Sequence, residues 1–132
     1  MKFSGHRPGG FVMAKALVGL KVLIVEDDYL IASIIEQLLT AAGCIVSEPI
    51  PRLLAALQAA KRGNYDAAVL DINLNGERAY PVGDTLSDRN IPYLILTGYS
   101  AQQLPTKYTQ RPTLGKPFKS AQLLHALSNL VS

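Results

Sequence analysis

The chain has 132 residues, 48% of them apolar and 17% charged, which is the size and balance of one compact domain and excludes a disordered chain. Its formal charge of +3 resides in Lys2, Arg7 and Lys15, because from Lys21 onward ten basic residues meet ten acidic ones. Nucleic-acid binding would need a basic face on the domain itself, and the sequence shows none, so nucleic acid is not an expected partner.

No apolar run approaches the roughly 20 residues of a membrane span, and no membrane association is expected. The single cysteine, Cys44, excludes an internal disulfide, and its apolar surroundings predict a small buried core residue. A chain without a disulfide framework fits a reducing, cytoplasmic setting.

Residues 1–19 read as a flexible leader, basic and rich in Gly and Pro (HRPGG), with no stretch apolar enough for a signal peptide. Met13 is an alternative start, and His6 carries no expected role. The domain is expected over 20–132. Lys21–Glu26 is a continuous apolar run ended by acids, the pattern of a strand buried on both faces. Asp28 suits the cap of the next helix, where Leu30, Ile31, Ile34, Ile35, Leu38 and Leu39 recur at helical spacing and Gly43 supplies the stop.

Cys44–Ser47 predicts a second strand. Pro51 opens a helix with Leu53, Leu54 and Leu57 that ends near Lys61-Arg62-Gly63. Ala67–Leu70 is the third strand, leading into Asp71. Ala79–Arg89 is a helix weakened at its start by Pro81 and Gly83. Tyr93–Leu96 is the fourth strand, leading into Thr97. Between 98 and 111 the pattern fades: Tyr99–Leu104 allows a turn or two of helix, and Pro105 and Pro112 stop a long one. Thr113–Gly115 is a short fifth strand leading to Lys116, and a last helix from Ser120 presents Leu123, Leu124, Leu127 and Leu130 to the core. Five strand–helix alternations imply an open parallel α/β sheet with helices on both faces. The chain ends with this helix, and no output domain is expected.

In such sheets ligands bind beyond the carboxyl ends of the strands. Those ends deliver Glu26, Asp27 and Asp28 from strand one, Asp71 from strand three, Thr97 from strand four and Lys116 from strand five. Clustered carboxylates repel unless a cation sits among them, and hard oxygen ligands suit Mg²⁺. A carboxylate beside such an ion can attack a phosphoryl group, with a lysine and a hydroxyl stabilising the charge that builds on its oxygens. Taken singly these residues are ordinary, and Asp28 is better read as a helix cap. Their convergence on one sheet edge is what carries the reading.

The segments VLIVEDD, VLDINLNG, LTG and GKPF, in this order, resemble the response-regulator receiver domain of two-component signalling, over about residues 20–131. The resemblance implies a flavodoxin-like (βα)5 doubly wound sheet of order 2-1-3-4-5. By position it makes Asp71 the phosphoacceptor, places Mg²⁺ on Glu26, Asp27, Asp71 and the backbone carbonyl of Asn73, and gives Thr97 and Lys116 the switch and phosphate-binding roles. It also implies a cis peptide between Lys116 and Pro117. The expected donor is a sensor histidine kinase or a histidine phosphotransfer protein; the downstream partner is a protein the sequence does not name.

Two departures from the family stand out. Thr113 occupies the strand-five position that is usually Tyr or Phe, with Tyr99 or Tyr108 as conceivable substitutes, and the short Thr97–Lys116 segment implies a reduced or irregular fourth helix. With PYLILTGY, these features resemble an alphaproteobacterial subclass whose signature reads PFxFATGY and whose members are often stand-alone.

Three functional classes compete. One is a single-domain regulator that accepts phosphoryl on Asp71 and signals by binding, relays the group, or serves as a phosphate sink, with no separate substrate turned over. Another is an unphosphorylated pseudo-receiver, which Thr113 favours and the intact polar set disfavours. The last is a haloacid-dehalogenase-like phosphatase, disfavoured because that family places a second Asp two residues after its nucleophile, where this chain has Asn73. His125, in the last helix, has no ligand set around it, and a homodimer through the last strands and helices is left open.

Overall fold

The computed structural model describes residues 17–98 and 104–132. Five parallel strands form the central sheet: β1 (Lys21–Val25), β2 (Ile45–Val46), β3 (Ala67–Asp71), β6 (Tyr93–Thr97) and β7 (Thr113–Gly115), in the order β2-β1-β3-β6-β7. This is the expected doubly wound, flavodoxin-like arrangement. Among the described residues four helices flank it: α1 (Tyr29–Ala41), α2 (Leu53–Arg62), α3 (Tyr80–Asp88) and α4 (Ser120–Val131).

Side chains alternate across the sheet with a period of two. Leu23, Val25, Ala68, Leu70, Tyr93 and Ile95 face a core layer shared with α2 and α3. Val22, Ile24, Ala67, Val69, Leu94 and Leu96 face the layer shared with α1 and α4. Complete burial of a Leu or Ile side chain contributes about 1.5–3 kcal/mol, and the two layers hold the three central strands in one register.

The ends of α1 follow from sequence. Asp28 Oδ1 accepts from the amides of Leu30 and Ile31 at 3.0 and 3.2 Å, satisfying donors the first turn leaves open. At the other end Gly43 adopts φ 97°, while the Cys44 amide donates to the Leu39 carbonyl and the Gly43 amide to that of Thr40. That pair of bonds defines the Schellman closure, which needs a residue with positive φ at this point. A side chain at Gly43 would also strike Val18. Cys44 is buried, as expected.

Several expectations need correction. The buried stripe of α1 is Ala32, Ile35 and Leu39; Ile31 and Leu38 are half-buried, and Leu30 (71% exposed) and Ile34 face solvent. Six apolar residues are more than one buried stripe accommodates. Helix α2 starts at Leu53 rather than Pro51, its Leu54 is exposed, and Ala56 and Ala60 do the packing. Strand β2 is only Ile45–Val46. In α4, Leu123 and Leu127 are buried while Leu124 and Leu130 are partly so. Residues 17–19, placed in the leader by composition, pack against the domain: Leu17 is 1% exposed, and the Gly19 amide donates to the Gly43 carbonyl. The rest of the leader, residues 1–16, lies outside the described residues.

A hairpin not foreseen follows β3. Strands β4 (Asn73–Leu74) and β5 (Glu77–Arg78) pair antiparallel around Asn75 (φ 52°) and Gly76 (φ 90°). Two successive positive φ values are what a two-residue hairpin turn requires, and Asn-Gly is its preferred pair. Buried Leu74 ties the hairpin to the core.

Between Thr97 and Thr113 the described residues hold a single 3-10 turn, Thr106–Tyr108; the expected turn over Tyr99–Leu104 falls, up to residue 103, outside the described residues. This segment is moored by its side chains. Tyr108 is buried, stacks on Tyr80 with ring centroids 4.5 Å apart, and donates its hydroxyl to Asp84 Oδ1 at 2.8 Å. Lys107 pairs with the same oxygen at 3.0 Å. Arg111 lies over the Tyr93 ring and bonds Ser87. Aromatic packing and charge-assisted bonds hold residues 104–111 against α3.

Gly83 is where this packing is tightest. An added Cβ would lie 2.7 Å from the Tyr93 hydroxyl and 2.9 Å from its Cζ, and Tyr93 is itself fully buried. Gly83→Ala gains about 1 kcal/mol of helix propensity but overpacks at a cost of about 1–3 kcal/mol. A lower urea midpoint is therefore expected, where an exposed helical glycine would give a higher one.

Candidate functional site

The carboxyl ends of the sheet bring the expected polar residues together. Glu26 follows β1 and is 1% exposed; Asp71 ends β3 at 4% and Thr97 ends β6 at 2%. Lys116 follows β7, its amide donating to the Thr97 carbonyl at 2.9 Å. The Lys116 ammonium bridges two acids, 2.8 Å from Glu26 Oε1 and 3.1 Å from Asp71 Oδ2. Oxygens of Glu26, Asp27 and Asp71 all lie within 4.8 Å of one another. Asp27, Asp71, Asn73, Thr97 and Lys116 line one concavity. The Lys116–Pro117 peptide bond is cis.

Backbone amides orient the acids. The Asp28 amide donates to Glu26 Oε2 at 3.0 Å, the Asn73 amide to Asp71 Oδ1 at 3.1 Å, and the Asn75 amide to Asp27 Oδ2 at 2.9 Å. The Asn73 side chain accepts from the Gly76 amide at 2.8 Å. The last two bonds were not expected from sequence. Their only signal there is the Asn-Gly pair, which marks a turn and gives no hint that the turn reaches back to strand one.

Three carboxylates packed this closely cannot all ionise freely. Burial pushes Glu26 up to about 7, against the lowering effect of the Lys116 ammonium and the Asp28 amide. Asp71 is also raised, chiefly by burial. Burial opposes ionisation of Asp27 too, but bonds from Asp71 and the Asn75 amide outweigh it and hold Asp27 low. Burial would lower Lys116, yet Glu26 and Asp71 overcome it and keep the ammonium charged. Burial thus disfavours the ionised forms of Glu26 and Asp71. Hard oxygen donors at this spacing, carrying more negative charge than one lysine balances, suit a hard divalent ion.

The residues left aside by the sequence reading stay aside. His125 is exposed on α4, with Nε2 3.1 Å from Asn129. Thr113 is half-buried, its hydroxyl donating to the Arg111 carbonyl, and Tyr108 is occupied by Asp84 and Tyr80. Tyr99 lies outside the described residues.

Comparison with known proteins agrees with this geometry. The response regulator receiver domain family matches residues 22–128, and the chain belongs to it. Among curated proteins no significant match is found. The solution structure of SdrG from Sphingomonas melonis Fr1 is similar at 33% identity and TM-score 0.76, over 88% of this chain and 98% of that one. The BeF3-activated conformation of SdrG, from Pseudomonas melonis Fr1, is similar at 34% identity and TM-score 0.74, over 86% and 98%. The receiver domain of the sensor histidine kinase PA1611 from Pseudomonas aeruginosa PAO1, with a magnesium ion coordinated in its active site cleft, aligns at 26% identity and TM-score 0.74, also over 86% and 98%. The family is a signalling domain of two-component systems, and it does not turn over a separate substrate. No helix among the described residues is long and apolar enough to cross a membrane.

The raised acids give stability a definite pH dependence. A carboxyl whose pKa rises on folding stabilises the folded state below its unfolded value and loses that contribution as pH climbs through its folded value. For Glu26 the window runs from 4.5 to about 7, and Asp71 adds in the same direction. Asp27, shifted down from 3.8, acts at lower pH. With a chelator present, the protein is expected to melt at higher temperature at pH 5 than at pH 7.5, by roughly 1–3 kcal/mol in stability. Glu26→Gln should flatten most of that difference. Thermal melts across this range check it.

Proposed function

We propose that Asp71 accepts a phosphoryl group from a phosphohistidine of a sensor histidine kinase or a histidine phosphotransfer protein, in a Mg²⁺-dependent reaction. The observation that carries this is that Lys116, which bridges Glu26 and Asp71, lines one concavity with Asp71, Thr97 and Asn73. Glu26, Asp27, Asp71 and the backbone carbonyl of Asn73 would hold the ion, which when bound offsets the charge on the phosphoryl oxygens.

An Asp71 carboxylate oxygen attacks phosphorus, the P–N bond to histidine breaks, and the imidazole nitrogen takes a proton from solvent. The product is an acyl phosphate, later cleaved by water. Lys116, already 3.1 Å from Asp71 Oδ2, pairs with a phosphoryl oxygen, and the Thr97 hydroxyl supplies a second donor. The magnesium in the PA1611 receiver and the BeF3-activated form of SdrG support the assignment. On this reading the domain works in the cytoplasm, where kinases of this class deliver phosphoryl, and passes its state on through a protein partner.

The test is intact mass after incubation with acetyl phosphate. Wild type is expected to gain one phosphoryl with Mg²⁺ and none in a chelator, while Asp71→Asn gains none in either. Failure of the wild type with both acetyl phosphate and a phosphohistidine protein would replace this reading with the pseudo-receiver one, which Thr113 favours by removing the usual strand-five aromatic.

A further inference from the structure

The tip of the β4–β5 hairpin is bonded to the acidic cluster through Asp27. The chain leaves β3 at Asp71, forms two residue pairs, Asn73 with Arg78 and Leu74 with Glu77, and turns at Asn75 and Gly76. At that turn the Asn75 amide reaches Asp27 Oδ2, 48 positions away in sequence, at 2.9 Å. A two-stranded hairpin this short has little stability of its own. Its ties include buried Leu74, the Ala79 amide on the Ile72 carbonyl at 2.9 Å, the Gly76 amide on Asn73 Oδ1 at 2.8 Å, and the Asn75–Asp27 bond itself.

Asp27 differs from its neighbours in how it is held. Glu26 and Asp71 are buried and fixed by Lys116, whereas Asp27 is only half-buried and makes no ion pair with Lys116. Its carboxylate takes its direction from the Asn75 amide together with bonds to Asp71 and Glu26. Only Asn, Asp and Gly readily adopt the φ of 52° found at residue 75, so the identity of that residue decides whether the amide points at Asp27.

We propose that Asn75 is a positioning residue: its left-handed turn aims a backbone amide at Asp27 and so presents that carboxylate to the divalent ion and to the incoming phosphoryl group. The inference rests on the phosphoryl-acceptor reading above. It assigns to the hairpin a control over ion affinity that comes through turn conformation alone, with no side chain of residue 75 touching the ion.

The test uses Mg²⁺ titration, read by tyrosine fluorescence or amide NMR, on wild type, Asn75→Gly and Asn75→Val. Glycine keeps both the amide and the positive φ; valine, β-branched, resists that φ. Asn75→Gly is expected to bind Mg²⁺ within twofold of wild type and Asn75→Val about tenfold more weakly, with acetyl phosphate labelling slowed in step. Equal Mg²⁺ affinity in all three overturns the proposal.

A second measurement needs no altered turn: in metal-free wild type the Asn75 amide should exchange with solvent slowly, and in Asp27→Ala several-fold faster. Unchanged exchange also overturns the proposal, including the case in which Asn75→Val does not fold. If wild type binds no Mg²⁺ at all, the acceptor reading falls and takes this inference with it; if wild type binds and only the Asn75 series is flat, the acceptor reading stands and the positioning role alone is lost.

Discussion

One lysine between two buried acids is the interaction on which the rest of the site depends. Glu26 and Asp71 are almost wholly out of water, and a buried carboxylate without a partner costs several kcal/mol. Lys116 offsets part of that cost, 2.8 Å from one acid and 3.1 Å from the other. It does not balance three carboxylates, and burial still holds Glu26 up at about 7 against it. The fold thus maintains a place where an additional positive charge, or a phosphoryl group accompanied by one, is electrostatically favoured. The same deficit makes the site costly to the fold when empty of cations, an arrangement common where charge is kept for chemistry.

The sheet makes this convergence possible. Parallel strands point their carboxyl ends the same way, and the pairing of β1, β3, β6 and β7 brings to one edge groups that are up to 90 positions apart in sequence. Asp71 and Thr97 end strands that are buried throughout, Glu26 lies one past the buried run of β1, and Lys116 lies one past the partly exposed β7. Helix α3 and the moored 104–111 segment support the far side of β6, so the position of Thr97 depends on Tyr93, Gly83 and Arg111 packing correctly behind it.

Much of this was legible in the sequence for a physical reason. Strands buried on both faces are continuous apolar runs, so KVLIV, AAVLD and YLILT could be placed, and the polar residue that ends each run marks the sheet edge. Asp28 and Gly43 punctuate α1 through local chemistry alone. What stayed hidden depended on tertiary packing. The exposure of Leu30, Ile34 and Leu54 is set by which neighbours arrive, and the mooring of Tyr108 on Asp84 joins elements that no local pattern connects. The hairpin is an intermediate case: Asn75-Gly76 carries the strongest short turn signal in the chain, but flanking strands of two residues are too short to show a period, and the bond to Asp27 is visible only once β1 and β3 lie side by side.

The central claim is that Glu26, Asp27, Asp71 and Lys116 form a cation-dependent phosphoryl site centred on Asp71. The most direct measurement is ¹⁹F NMR of the protein with beryllofluoride, a phosphoryl mimic, in the presence and absence of Mg²⁺. Bound-fluoride resonances are expected from wild type only when Mg²⁺ is present, and none from Asp71→Asn. Resonances that persist in Asp71→Asn, or that ignore Mg²⁺ in the wild type, would contradict the account.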